Sequence, residues 1–398
     1  AGFSPDADGN LLAGTDAGGN ITGGSGLMNL FLIDCAGKCT TTGDYNIGLG
    51  RKAMGGGAAA NTTGSNNIAM GNEAGELLTT DNGHILIGKS AGASLAGGQY
   101  NTYIGYQAGC ADGDGQGNVM IGCNVGCQFD GGTANVIIGM NLACSFGSGS
   151  CEQVNAIVIG NGALSEATCT GCMTVLGSHA AKKGTDHRCS IIMGRCAAYG
   201  VTGCTGGTSN IIMGTEAGFC NQTASYNIIL GEKAAKNVST GGSNIIMGCG
   251  AGQSGTITGS NNVVMGSEAG MDITSGGDNV FLGPNAGENR TSSDQSIMIG
   301  KNAGSIGTTG NYSIFLGRSA GRSSTGNYNH FFGYYAGGCN TGAHNVYLGP
   351  SAGRCQTSGG CNIFLGNEAG SNAASSGGTG NNNIGMGCKA LTALTSGY

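Results

Sequence analysis

The chain has 398 residues, 84 of them glycine and only 3 proline, with 39% apolar and 10% charged residues and a formal net charge of −6. A glycine excess without a Gly-X-Y triplet excludes collagen, and that apolar content with so little charge argues against disorder. With 16 Lys and Arg against 22 Asp and Glu there is no basic stripe to displace counterions from a nucleic acid, and no apolar run approaches the ~18 residues of a membrane-spanning helix.

Taken in order, residues 1–9 form an N-terminal extension. It starts at Ala1 rather than Met, without a charged and apolar leader, and reads as the start of a processed or trimmed chain. From Asn10 one phrase recurs: Asn, three apolar residues, Gly, two variable residues, Ala, Gly. It is legible as NTYIGYQAG at 101–109, NVFLGPNAG at 279–287 and NIFLGNEAG at 362–370. Anchored on the glycine after the triplet, 22 units run from Gly14 to Gly387, with Ile33 standing at the second anchor. The commonest spacing is 17 and the range 16 to 21. Longer units carry their extra residues in stretches such as GGGAAANTTGSN before Asn67, where an insertion can bulge from one corner without disturbing the stack.

A 17-residue period is too short for helical-hairpin repeats, and an apolar run of three or four is strand length. Each unit is therefore expected to be one coil: a short strand ending at the anchor, a turn, a second Ala/Gly segment and a Gly/Thr/Ser/Asn corner. The fold class is all-β, one β-solenoid (β-roll or β-helix) of about 22 coils over 10–391, followed by a tail at 392–398. At ~4.8 Å per coil this gives a rod roughly 100 Å long. The last unit, GCKALTAL, has Leu391 where the phrase ends in Gly and reads as a partial cap.

Neighbours along a strand point to opposite sides. The expectation is that the first and third triplet residues, such as Ile363 and Leu365, fill the coil while the middle one, Phe364, points outward. That middle position is large and apolar or aromatic in 19 of 22 units, Tyr103, Ile229, Phe281, Phe315 and Tyr347 among them. An isolated coil would then show water a larger apolar stripe than monomers usually expose. A second copy is expected to cover it, and a parallel homotrimer does so by closed symmetry; the other reading packs this face inside a wider monomeric coil. The recurrent small residues are read mechanically. Asn opens the triplet in 16 units, tolerates left-handed geometry and can form a side-chain ladder. Ala stands three residues after the anchor in 20 units, where two walls are expected to approach closely, and the anchor Gly supplies a turn denied to most residues.

The 18 cysteines largely follow the repeat phase. Cys110, Cys127 and Cys144 are 17 apart, as are Cys172 and Cys189, and Cys339 and Cys355 match in neighbouring units. One rung apart, they can form thiol ladders or disulfide rungs. The pair Cys169 and Cys172, spaced C-x-x-C, has no second pair to complete a zinc ribbon. His84, His179, His187, His330 and His344 fall at different phases and are read as corner or face residues. Asp112 and Asp114 in DGDGQGN resemble the start of a calcium loop, as do Asp6 and Asp8 in SPDADGN, but the twelfth position of a loop starting at Asp112 holds Cys123 rather than Glu. No Ser/His/Asp, Cys/His or paired-carboxylate set stands out, and the acidic residues scatter over corners rather than lining a glycosidase-like face. Threonine lacks the regular ranks of an ice-binding face. The reading assigns no catalytic, cofactor-binding or metal residue, no cofactor, and no enzyme activity.

The phrases NTYIGYQAG, NIIMGTEAG at 210–218 and SIFLGRSAG at 313–321 give the chain, from Asn10 to Leu391, a resemblance to the repeat arrays of bacteriophage tail fibres and virion structural proteins. The Cys-bearing form punctuated by TTG and NTG looks most like those of marine cyanophages. It is similar, more loosely, to the left-handed β-roll head of trimeric autotransporter adhesins, whose coil is usually shorter with a small middle residue and whose membrane anchor has no counterpart here. These resemblances imply a trimeric, elongated fibre facing a host or a surface, and no catalytic residues. The expected function is a structural shaft of a virion appendage, on tail or capsid. Its partners would be copies of itself and a host or cell-surface glycan or protein, with no nucleic acid and no membrane insertion. Contact loops are expected at 55–65, 146–153, 198–208 and 373–381. The alternative is a subunit of a polymerising extracellular or cell-surface filament or adhesin, stacked through its open strand edges.

Overall fold

The computed structural model of the chain describes residues 4–56, 61–129, 131–142, 154–166, 171–184, 186–200, 206–371 and 378–392. The chain divides into two compact units, Ala1–Thr205 and Gly206–Tyr398. Each is a parallel β-solenoid, and the fold is all-β with the expected repeat. In the first unit eleven short strands, from Leu11–Ala13 to Ile191–Met193, each pair in parallel with the next. In the second, eleven more run from Ile211–Met213 to Ile384–Met386. The second unit also has a small second wall, where Cys220–Asn221, Asn237–Val238 and Thr256–Ile257 pair in parallel.

The strands are short because the sequence stops them. A triplet rich in β-branched residues, such as Ile228 to Leu230, ends at an anchor glycine, and the anchor glycines hold φ between 113° and 154°. That region is closed to L side chains, and the stacking closes it further: a Cβ on Gly366 would stand 2.5 Å from the Gly387 carbonyl oxygen of the next rung. Ile33 takes the same position at φ 84°. The turn that follows stacks as well, Gly109 N donating to Val125 O at 2.8 Å one rung on. The alanines there, Ala108, Ala251 and Ala369 for example, are fully buried. Insertions leave the register unchanged, as expected. Ile299 pairs with Leu316 17 residues on, and Leu365 pairs with Met386 across 21.

The facing of the strands is the reverse of the sequence expectation. Phe364 is fully buried whereas Ile363 is 38% exposed, and every middle triplet residue except Leu12 is buried. The cause lies two residues upstream. Asn at the head of the triplet shares the middle residue's parity, and its side chain is locked inside the coil. Asn46 Oδ1 accepts the backbone N–H of Asn67 at 3.0 Å, while Asn46 Nδ2 donates to Gly64 O at 2.9 Å. Such bonds repeat along each unit as an interior ladder. The left-handed residue is the one before Asn rather than Asn itself, as at Tyr328, φ 56°, which precedes Asn329. Some substitutes in the ladder keep its chemistry: His84 Nδ1 accepts from Asn101 N at 3.1 Å, and Ser296 Oγ accepts from Ser313 N at 3.3 Å; Ala156 and Met173, both buried, interrupt it in the first unit.

Beside the ladder runs the apolar core. In the second unit Phe315, Phe331, Tyr347 and Phe364 stack ring on ring with centroids 5.1, 4.7 and 5.1 Å apart. Each fully buried ring contributes roughly 2–3 kcal/mol of transfer free energy. Where a unit lacks a middle side chain, a neighbour fills the place. The ring of Phe31 lies over Gly48, and Leu391 and Phe364 lie against Gly385.

Candidate functional site

Because the middle residues and Asn face inward, alternation turns the first and third triplet residues outward. They too are apolar. Ile157 and Ile159 in the first unit, and Val346, Leu348 and Ile384 in the second, are all exposed, Leu348 by 52%. Each solenoid unit thus carries two parallel apolar ranks on its strand face, one rung apart along the stack. The ladder was the available signal: sixteen recurrent Asn residues imply an interior hydrogen-bonded column, and parity then fixes the face of every other strand residue.

The corner before each Asn is a second exposed column. In the second unit Tyr312, Tyr328 and His344 stack there with centroids 4.9 Å apart at both steps. Past the anchors, Arg318 lies 5.8 Å over the ring of Tyr334, and Arg354 lies 5.0 Å over that of Tyr335. These rings offer flat apolar faces with hydroxyl edges. Of the expected contact loops, 146–153 lies outside the described residues, as do residues 57–60, 201–205 and 373–377 of the other three.

The cysteine columns hold free thiols where they are described. Cys110, Cys127, Cys172, Cys189, Cys339 and Cys355 are all unpaired, and Cys110 Sγ lies 3.9 Å from the Cys127 carbonyl oxygen. Burial pushes the Cys110 thiol up. Cys220 is disulfide-bonded; Cys144 and Cys169 lie outside the described residues. In the first unit Cys35 and Cys39 line a cavity of about 490 Å³ with Lys38, Lys52 and Glu76. Lys38 bonds Asp16 at 2.9 Å and Lys52 bonds Glu76 at 2.8 Å. These carboxylates hold both lysines above their usual range, so neither amine is free to act as a base.

Two histidines are interior rather than corner or face residues. His84 belongs to the ladder, and His187 is buried with neither ring nitrogen bonded; burial pushes both down to about 4. His179 lies at a corner, His330 on a strand's outward rank and His344 in the corner stack. Ser178 Oγ stands 2.9 Å from His179 Nδ1, but among the described residues no carboxylate bonds that ring to orient it as a base. Asp112 points into the coil. It accepts bonds from Tyr103 OH, from Gly115 N at 2.9 Å and from Gly131 N at 3.2 Å, and burial raises it to about 6. Its carboxylate is thus engaged by protein donors rather than turned out toward Asp114. Asp6 accepts from Asp8 N and Asn10 N as a local turn cap. Among the described residues no three His, Cys, Asp or Glu side chains cluster as metal ligands, and no helix is long and apolar enough to cross a membrane.

Compared with known proteins, the chain matches no family model and no curated protein.

Proposed function

We propose that this chain is the structural shaft of a virion appendage, a tail fibre or related projection, assembled as a parallel homotrimer. One observation carries the self-assembly: the paired outward apolar ranks, with Ile157 and Ile159 or Val346 and Leu348 side by side. At roughly 50 Å² from each such side chain, the ranks of one unit sum to on the order of 1,000 Å². That exceeds the few hundred Å² a monomer leaves exposed and suffices for a standard interface of ~800 Å² per partner. A second copy is the best-matched cover, because its ranks share the same rung spacing, and closure at three copies leaves no rank uncovered. The virion setting rests on the resemblance of the repeat phrase to phage fibre arrays. Corner residues, including the Tyr312 stack, would meet a host glycan or protein.

Native mass spectrometry tests the assembly. A species of three chains is expected, and a sole 39.0 kDa species would overturn it. Gold-labelled antibody on native source material tests the setting. Label on virion tails or capsids supports the shaft; label along free or cell-attached filaments, with clean virions, would assign the chain to a polymerising surface filament instead.

A further inference from the structure

Seven residues after each anchor the second unit has an interior column in which Ile273 is followed by Arg290, Gly307, Ser324, Asn340 and Gln356, all buried. Arg290 is the anomaly. It is fully buried, and its guanidinium occupies the space left by the next rung's glycine: a Cβ on Gly307 would stand 2.8 Å from Nη2 and 3.0 Å from Cζ. Nε donates to Gly304 O at 3.0 Å, Nη2 donates to Ser324 O at 2.6 Å, and the group lies 5.6 Å over the ring of Phe315. Every protein partner is neutral. Burial alone pushes the guanidinium down to about 9, with no carboxylate acting on it, so it stays cationic at neutral pH. Nη1, which faces Gly310, makes no hydrogen bond, and the buried hydroxyl of Ser324 has no partner either.

A charge taken from water into an interior needs a counter-charge as well as hydrogen bonds. Here the unsatisfied groups are donors: one guanidinium N–H edge, and a hydroxyl on the residue already bonded to the same guanidinium. We propose that the interior of the second unit holds one small monovalent anion, chloride in ordinary buffers, bound by Arg290 Nη1 with Ser324 Oγ as second donor. A water molecule would satisfy the donors and leave the charge uncompensated. The ion enters as the rungs close and is released when they open, so its binding is linked to folding. The site is independent of how copies of the chain assemble.

The test is urea unfolding of the full chain at fixed ionic strength, with chloride titrated against gluconate, which is too large for the interior. Once the site is filled, the unfolding equilibrium constant should fall about tenfold for each tenfold rise in chloride. Ser324→Ala should shift this dependence to higher chloride, and Arg290→Met should abolish it. No difference between chloride and gluconate in the wild-type chain, or the same dependence in Arg290→Met, overturns the proposal. If Arg290→Met does not fold, crystals of the wild-type chain grown in bromide decide. An anomalous peak beside Nη1 supports the site; its absence overturns it.

Discussion

Replacing Asn244 by Ala removes one step of the interior ladder and should destabilise the second unit by several kcal/mol. Asn244 Oδ1 accepts the backbone N–H of Asn262 at 2.9 Å, and Nδ2 donates to Gly259 O at 3.0 Å. Both of those residues are buried, so truncation leaves two backbone groups without water or partner, at ~1–3 kcal/mol each, or about 2–6 kcal/mol together. The Asn262 side chain also loses a 3.0 Å bond but keeps Gly276 O at 2.9 Å. Asn244→Ser should be far milder. Ser296 shows how a hydroxyl serves the ladder, accepting from Ser313 N at 3.3 Å and donating to Gly310 O at 3.1 Å. The assay is amide hydrogen exchange at Asn262 together with urea unfolding of the full chain. Each ~1.4 kcal/mol lost locally is a tenfold faster exchange under native conditions. An Asn244→Ala chain within ~0.5 kcal/mol of wild type, or a serine variant as unstable as the alanine one, would refute the view that the ladder holds the rungs together.

Phe331→Ala opens a hole between the rings of Phe315 and Tyr347 and should cost about 3–5 kcal/mol in urea unfolding, whereas a surface substitution at Tyr334 should change stability by under ~0.5 kcal/mol. Ile33→Gly should stabilise by about 1 kcal/mol in thermal unfolding, since it relieves a β-branched residue at φ 84° whose side chain is 55% exposed and contributes little packing. His187 makes stability acid-sensitive. Its folded pKa of about 4 lies below the ordinary 6.5, so the unfolded chain binds the extra proton between those values. The stability it permits above pH 6.5 is lost as pH falls through the window, by up to about 3 kcal/mol. Asp112, raised to about 6, acts in the opposite sense over an overlapping range. The His187 contribution is therefore read as the difference between wild type and His187→Leu, which should widen toward pH 4 in favour of the variant; a pH-independent difference would count against the buried neutral imidazole.

The sequence alone determined the repeat, the strand that ends at each anchor and the parallel register, because glycine at a fixed phase forces the chain to turn at a fixed phase. It also marked the Asn ladder, since only a hydrogen-bonding column explains a polar residue recurring at the head of an apolar run. What it did not determine was the face each strand shows. All three triplet positions are apolar, so hydrophobicity gives no preference between burying Phe364 and burying Ile363. The choice was made by the direction of the turns, which carry the Asn amides inward and, through strand alternation, the middle residue with them. The interior place of Arg290 was equally closed to pattern reading. Its side chain is accommodated by a glycine 17 residues away at Gly307, and only stacking brings a cation and the missing side chain of the next rung into one volume.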